Sequence, residues 1–501
     1  MFKTNPNILP PRTATLVENP YYGDVVRSMK NWLIIVLVAA GLTACASQPT
    51  GSVPDSKTTA SAKSADSRVQ EKILANGLKV IVKEDHRAPV LVSQVWYKVG
   101  SGYEHDGITG VSHVLEHMMF KGTKKFKPGE FSRIIAENGG QENAFTGRDY
   151  TAYFQQLEKS RLKVSFEMEA DRMRNLVLLG EEFDKEIKVV MEERRMRTED
   201  NPQAITYEQF SANAYLNSGY HWPVIGWMND LENMQLEDLA QWYKYWYAPN
   251  NAVVVVVGDV NAKEVFDLAE KYFGGFDRGE IPKRKPRIEV EQIGERRIVV
   301  KAPAQVPYLI MGYKVPSLVN AKESWEPYAL EVLAAILDGG NSARFAKDLI
   351  RGSQIAQNVG AGYDSITPQQ EVFQFSGTPS SGKTVDDLEK AIKDQIAKLR
   401  KEKVSKSELS RVKAQVVAGK VYEQDSVFYQ AMIIGMLETM GYPWSMADEY
   451  VDRINAVTSE QVQAVAKKYF QDESLTVAVL DPQPLDSNKM RPRNLGGSRA
   501  H

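Results

Sequence analysis

His113 and His117 lie four residues apart with Glu116 between them, inside the run Gly110-Val111-Ser112-His113-Val114-Leu115-Glu116-His117-Met118-Met119-Phe120-Lys121-Gly122. The chain has only 6 histidines, so two at this spacing form a chemical signal. Apolar residues at 111, 114, 115, 118 and 119 recur at the spacing of a helix with one buried face. On such a helix, residues four apart stack on one side, so both imidazoles point at one spot. Glu116 projects to nearly the same place. Two neutral imidazoles suit zinc, and a carboxylate beside the metal that does not ligate it can take a proton from water. The chemistry implied is metal-assisted hydrolysis. The plain alternative is a pair of core histidines, since two histidines alone leave zinc short of protein ligands.

At 501 residues the chain has room for two or more domains around this helix. It is 43% hydrophobic and 25% charged with a formal net charge of −2, the balance of an ordinary globular protein. No basic block with interleaved aromatic residues appears, so nucleic acid is not implied as a partner. A single cysteine, Cys45, excludes an internal disulfide framework.

Cys45 has an informative setting. Met29-Lys30-Asn31 precedes an apolar run from Trp32 to Leu42, too short to span a bilayer comfortably but matching a secretory signal core. Leu42-Thr43-Ala44-Cys45 resembles a bacterial lipobox, which implies lipidation of Cys45 and a new N-terminus there. The plain alternative is a signal peptide with an incidental cysteine. Residues 1–45 are thus read as a leader, with Met29 as an alternative start. Ala46, Ser47 and Gln48 lack the aspartate that resembles an inner-membrane retention signal, so the expected address is the outer membrane facing the periplasm. Residues 46–67 are mainly Ser, Ala, Thr, Lys and Pro, the composition of a flexible tether.

Folded sequence is expected from 68. Asn76-Gly77 between two apolar runs predicts a hairpin, and Val90 to Val99 a strand. Helices are expected over Glu130 to Glu137, 158–178, 181–197 and Leu236 to Tyr247, with a fully buried strand from Ala252 to Val257. An internal repeat governs the architecture. Glu237 to Val256 lines up with Glu460 to Val479 at a constant offset of 223 residues. Gln94 to Val99 matches Ile310 to Val315, and His113-Val114-Leu115-Glu116-His117 matches Glu331-Val332-Leu333-Ala334-Ala335, with Gly340 in the place of Gly122. The helix is repeated and its chemistry is gone. The reading is an α+β protein of two homologous domains, 68–285 and 286–485, each a mainly antiparallel sheet packed with helices. A charged, proline-bearing linker lies around Gly279 to Pro286, and a tail covers 486–501.

The order H-x-x-E-H, the reverse of H-E-x-x-H, is the inverzincin signature. With its flanks it resembles the zinc site of the insulinase/pitrilysin metallopeptidases, and the resemblance spans roughly residues 70 to 485. It implies one zinc per chain held by His113, His117 and a glutamate about 76 residues past the second histidine, which is Glu193. It implies Glu116 as general base on a zinc-bound water, and Glu186, two turns before Glu193, beside the metal. Glu192, on the same helix, is read as a solvated surface residue. Asn143, Ala144 and Thr146 match the family's N-A-x-T segment, which implies pairing with the substrate main chain by strand addition.

The second domain departs from the family pattern. There the family carries an arginine and, seven residues on, a tyrosine near the scissile bond. Arg351 is present, but Asn358 stands where the tyrosine would be. Some bacterial members are split into two half-length chains, one with zinc ligands and one with the Arg/Tyr pair; this chain resembles the zinc-bearing half, the half of a clamshell. The expected function is a zinc endopeptidase acting on peptides or unfolded segments, lipid-anchored, with a hetero-partner carrying the Arg/Tyr pair or a second copy as homodimer. The alternatives are a non-catalytic assembly or binding subunit and a zinc-dependent amidase or esterase.

Overall fold

The computed structural model describes residues 68–285 and 287–485. The leader, Cys45, the tether, Pro286 and the tail from 486 lie outside the described residues. Among the described residues, no helix is long and apolar enough to cross a membrane.

In the first half, β1 (Val69–Ile73) and β2 (Lys79–Glu84) form the hairpin that Asn76-Gly77 predicts, with Gly77 at φ 90° in the turn. They join β3 (Val90–Tyr97), β4 (Gln141–Thr146), β5 (Thr151–Glu158) and β6 (Ala252–Gly258) in one sheet of order β1-β2-β6-β3-β5-β4. The second half supplies β7 (Arg296–Pro303), β8 (Tyr308–Val315), β9 (Ala356–Gly362), β10 (Glu371–Pro379) and β11 (Leu475–Gln483), ordered β7-β11-β8-β10-β9. Each sheet has one parallel pair, β2 with β6 and β7 with β11, followed by antiparallel neighbours. The second sheet thus repeats the first without its edge strand β1. The helix Leu236–Trp246 and β6 recur as Ser459–Tyr469 and β11, with starts 223 residues apart. Gly122 and Gly340, at φ 113° and 107°, follow the histidine helix and its counterpart.

The five consecutive valines of β6 have a packing reason. Val254 and Val256 face the helices of their own half, while Val253, Val255 and Val257 face another apolar cluster. A strand buried on both faces reads as an unbroken apolar run. The second cover comes from the other half: the helix Val427–Thr439 lays Ile433, Ile434 and Leu437 against that face. The exchange is reciprocal. Helix Pro202–Ala214 of the first half places Phe210 and Ala214 against Ile310, Val372 and Ala478 of the second sheet. The boundary expected between 285 and 286 therefore separates the strands but not the packing, because each half lends the other a helix. Apolar patterning reveals that a helix buries a face, not which sheet it buries it against.

Candidate active site

The histidine helix, Val111–Met118, begins at Gly110, whose φ of 89° turns the chain into it. Glu104 secures that start by accepting the N–H groups of Gly110 at 2.7 Å and Ser112 at 2.9 Å. Burial nevertheless pushes the Glu104 carboxyl up to about 8. Val114, Leu115 and Met118 sink into the core of the first half, which leaves His113 and His117 on one side with ring centroids 4.8 Å apart.

Glu193 reaches them from the helix Gly180–Arg194. Its Oε2 lies 3.7 Å from His113 Nε2 and 3.4 Å from His117 Nε2, longer than ordinary hydrogen bonds. The three candidate ligand atoms lie within 4.8 Å of one another. Glu193 Oε2, the atom turned toward both imidazoles, is buried without a hydrogen-bond partner. Unpaired buried polar atoms are costly, and two imidazole nitrogens with a carboxylate oxygen are a donor set that zinc satisfies. The residues fit a zinc ion.

Electrostatics points the same way. Burial, with the charge of His117, draws His113 down to about 3, which keeps it neutral. Burial also opposes charge on His117, but Glu186 and Glu193 outweigh it and raise this imidazole to about 9. Burial works against ionised Glu193, yet His117, His113 and Arg197 hold it at about 2. The cluster favours positive charge at its centre.

Around this centre, Glu186 Oε1 lies 2.9 Å from His117 Nδ1, and its other oxygen meets Lys121 at 2.6 Å. Arg197 holds the outer oxygen of Glu193 at 2.6 Å. Burial raises the Glu116 carboxyl above its usual range, and Glu116 accepts the Thr146 hydroxyl. Glu192 is exposed and pairs with Arg195, the solvated role expected of it. Asn143 and Ala144 sit on β4, an edge strand paired only with β5, and the Asn143 side chain accepts its own neighbour's N–H. Thr146 ends the same strand but turns to the base. Arg351 is not drawn to the histidines: it donates to the carbonyl of Asn341 in its own half. Glu331, where the first half has His113, takes the hydroxyls of Ser365 and Tyr450. The sequence reading missed Glu104, Lys121 and Arg197; only Lys121 and Arg197, each one helical turn from a candidate ligand, left a spacing that could have found them.

Comparison with known proteins identifies the family. The sequence model described as Insulinase (Peptidase family M16) matches residues 79–226, and that of the Peptidase M16 inactive domain matches 233–416. The chain belongs to this family of peptidases. The zinc protease PqqE of Helicobacter pylori is 33% identical over 414 residues, 82% of this chain and 92% of that protein. The uncharacterized zinc protease YmxG of Bacillus subtilis is 26% identical, covering 81% and 97%. The crystal structure of a protease from Helicobacter pylori superposes with a TM-score of 0.78 at 32% identity, over 83% of this chain and 99% of that one. These matches span both halves, so the family resemblance drawn from the histidine motif extends to the whole described fold.

Proposed function

We propose that this chain is a zinc-dependent endopeptidase that hydrolyses peptides or unfolded polypeptide segments. The supporting observation is the convergence of His113, His117 and Glu193 on one point, with Glu116 beside them and outside the ligand set. A single zinc ion held by those three side chains would supply the positive charge that polarises a peptide carbonyl and acidifies a water. The chain's own groups do the remainder. Glu116 takes a proton from the attacking water and passes it to the leaving amine, a role suited to a carboxyl whose affinity for protons burial has raised. The Thr146 hydroxyl engages one of its oxygens and leaves the other for the transfer. Glu186 holds His117 with Nε2 toward Glu193. The free edge of β4, with Asn143 and Ala144, offers main-chain hydrogen bonds to an extended peptide, whatever its side chains.

The test pairs metal content with peptide cleavage. Glu116→Gln should keep zinc and lose cleavage by about two to four decades, while His117→Ala should lose both. Retention of full cleavage by Glu116→Gln, or its loss of zinc along with His117→Ala, would refute this division of roles.

Arg351, without a tyrosine seven residues on, supports the further reading that a homologous chain carrying that pair, or a second copy, completes the enzyme. Full turnover by a lone monomer at low concentration would defeat it. Leu42-Thr43-Ala44-Cys45 supports anchoring at the outer membrane, facing the periplasm. A mature N-terminus other than a lipidated Cys45, found by mass spectrometry, would defeat that.

A further inference from the structure

The three candidate ligands come from two helices, so their common point exists only while those helices keep their spacing. Glu186 meets His117 partway along Gly180–Arg194, but Glu193 stands at the end of that helix, where a frayed turn would move its carboxylate. The next residue, Arg194, is 4% exposed and holds this end. Its guanidinium donates to both oxygens of Glu208, at 2.8 and 3.0 Å, and to the carbonyl of Gly226 at 2.8 Å. The Gly226 contact leads to the histidine helix. A Cβ on Gly226 would sit 2.3 Å from the Thr109 carbonyl, and one on Gly110 would sit 2.6 Å from that of Ile225, so the two glycines let main chain meet main chain. Thr109 is fastened to the same loop, since its hydroxyl accepts the N–H of Trp227 and donates to Asp230. Arg194 thus ties the helix end that carries Glu193 to the loop on which the histidine helix starts.

Glu208 leads the other way. It lies on Pro202–Ala214, the helix lent to the second half, whose Phe210 and Ala214 pack on Ile310, Val372 and Ala478. Arg296 of β7 donates to the carbonyls of Asn213 at 2.8 Å and Ala214 at 3.2 Å, so the second half also caps this helix at its C-terminus. Tyr215, one residue on, donates to Glu371 of β10 at 2.8 Å. A line of contacts therefore runs from the second sheet through the lent helix, Glu208 and Arg194 to Glu193. A guanidinium that grips both oxygens of a carboxylate fixes geometry as well as charge. Arg197 also pairs with Glu193, but its side chain is 54% exposed and water screens it. Burial makes Arg194 the stiffer anchor. Its neighbour Arg195 points away and pairs with exposed Glu192.

We propose that Arg194 is a positioning residue for Glu193, and that the second half, which supplies none of the three candidate ligands, supports the metal centre through helix Pro202–Ala214. The proposal rests on the zinc reading, and hydrogen exchange separates the two. Zinc affinity of the full chain is measured by chelator competition, well below the melting temperature. Arg194→Met should weaken it about tenfold or more, the scale of groups that orient a ligand, while Arg195→Met should match the parent. Arg296→Met, in the second half, should weaken it about threefold, and the double variant should lose no more than Arg194→Met alone. Exchange in the zinc-free proteins reads the same link without the metal. Arg296→Met should speed it over residues 190–195 as well as 210–215, and leave helix Leu162–Asn175 as in the parent. Parent-like affinity in Arg194→Met, losses that simply add in the double variant, or faster exchange confined to 210–215 would overturn the proposal. Faster exchange at 190–195 in a chain that takes no zinc would support the link and count against the zinc reading alone.

Discussion

His117 Nδ1 and Glu186 Oε1 meet at 2.9 Å, on the side of the imidazole opposite Glu193. This contact fixes both the ring plane and the tautomer, directing the Nε2 lone pair to the point shared with His113 and Glu193. Glu186 is itself held by Lys121, so it cannot turn away without breaking a second ion pair. Zinc affinity should fall about tenfold in Glu186→Gln and toward about a hundredfold in Glu186→Ala, measured by competition against a chromophoric chelator. Equal affinities in all three proteins would remove Glu186 from the site.

Thr146 should act on rate and leave metal binding alone. Its hydroxyl holds Glu116, whereas its backbone belongs to the edge strand. Thr146→Val should lower kcat about tenfold at constant zinc content, and Thr146→Ser, which restores the donor, should recover most of it. Loss of zinc in Thr146→Val, or no rescue by serine, would show that the residue supports the fold and not the base.

Much of the site was legible because it rests on local periodicity and a repeated pattern. His113, Glu116 and His117 share one helix face, which their spacing alone places; Glu193 and Glu186, on a separate helix, were named only through the family resemblance. The repeat fixed the correspondence of β6 with β11 and of their preceding helices to the residue. The same reading failed wherever a contact joins residues far apart in the chain. Nothing local in Val427–Thr439 says that it covers the sheet of the other half. Nor does Thr146 announce that it faces Glu116, since an edge-strand threonine fits substrate pairing equally well. Glu104 went unseen because a carboxylate six residues ahead of a helix start has no capping spacing.

Burial, with the charge of Glu371, pushes the Asp364 carboxyl up to about 7, against about 3.9 in an unfolded chain. The folded protein therefore binds this proton more tightly, so the stability tied to it is complete below about pH 4 and lost as pH rises through 7. The melting temperature of the native protein should fall from pH 5 to pH 8 by more than that of Asp364→Asn, which should be the more stable of the two at pH 8. An Asp364→Asn protein less stable at pH 8 would mean that a cation already answers Asp364.

The exchanged helices meet their sheets through paired large and small residues. Gly435, ninth in Val427–Thr439, packs against Trp96 of β3; a Cβ there would lie 2.1 Å from the indole Nε1. In the second sheet, Phe210, ninth in Pro202–Ala214, packs over Gly312, which the repeat aligns with Trp96. The bulk sits on the strand in one case and on the helix in the other. Trp96 cannot retreat, because Phe145 and Tyr150 pack edge-on at 5.4 and 5.1 Å and Gln94 accepts its N–H. Gly435→Ala gains about 1 kcal/mol of helix propensity but overpacks a rigid contact at about 1–3 kcal/mol. The net expectation is a loss of roughly 1 kcal/mol in urea unfolding. Trp96→Ala alone should lose about 3–5 kcal/mol by opening a cavity, and the double variant should lose less than the two together, because the alanine methyl then enters vacated space. Strict additivity would mean that Trp96 does not limit how closely the helix approaches. Phe145 lies on β4 and touches the same indole, so Gly435→Ala should also lower peptide affinity at the edge strand.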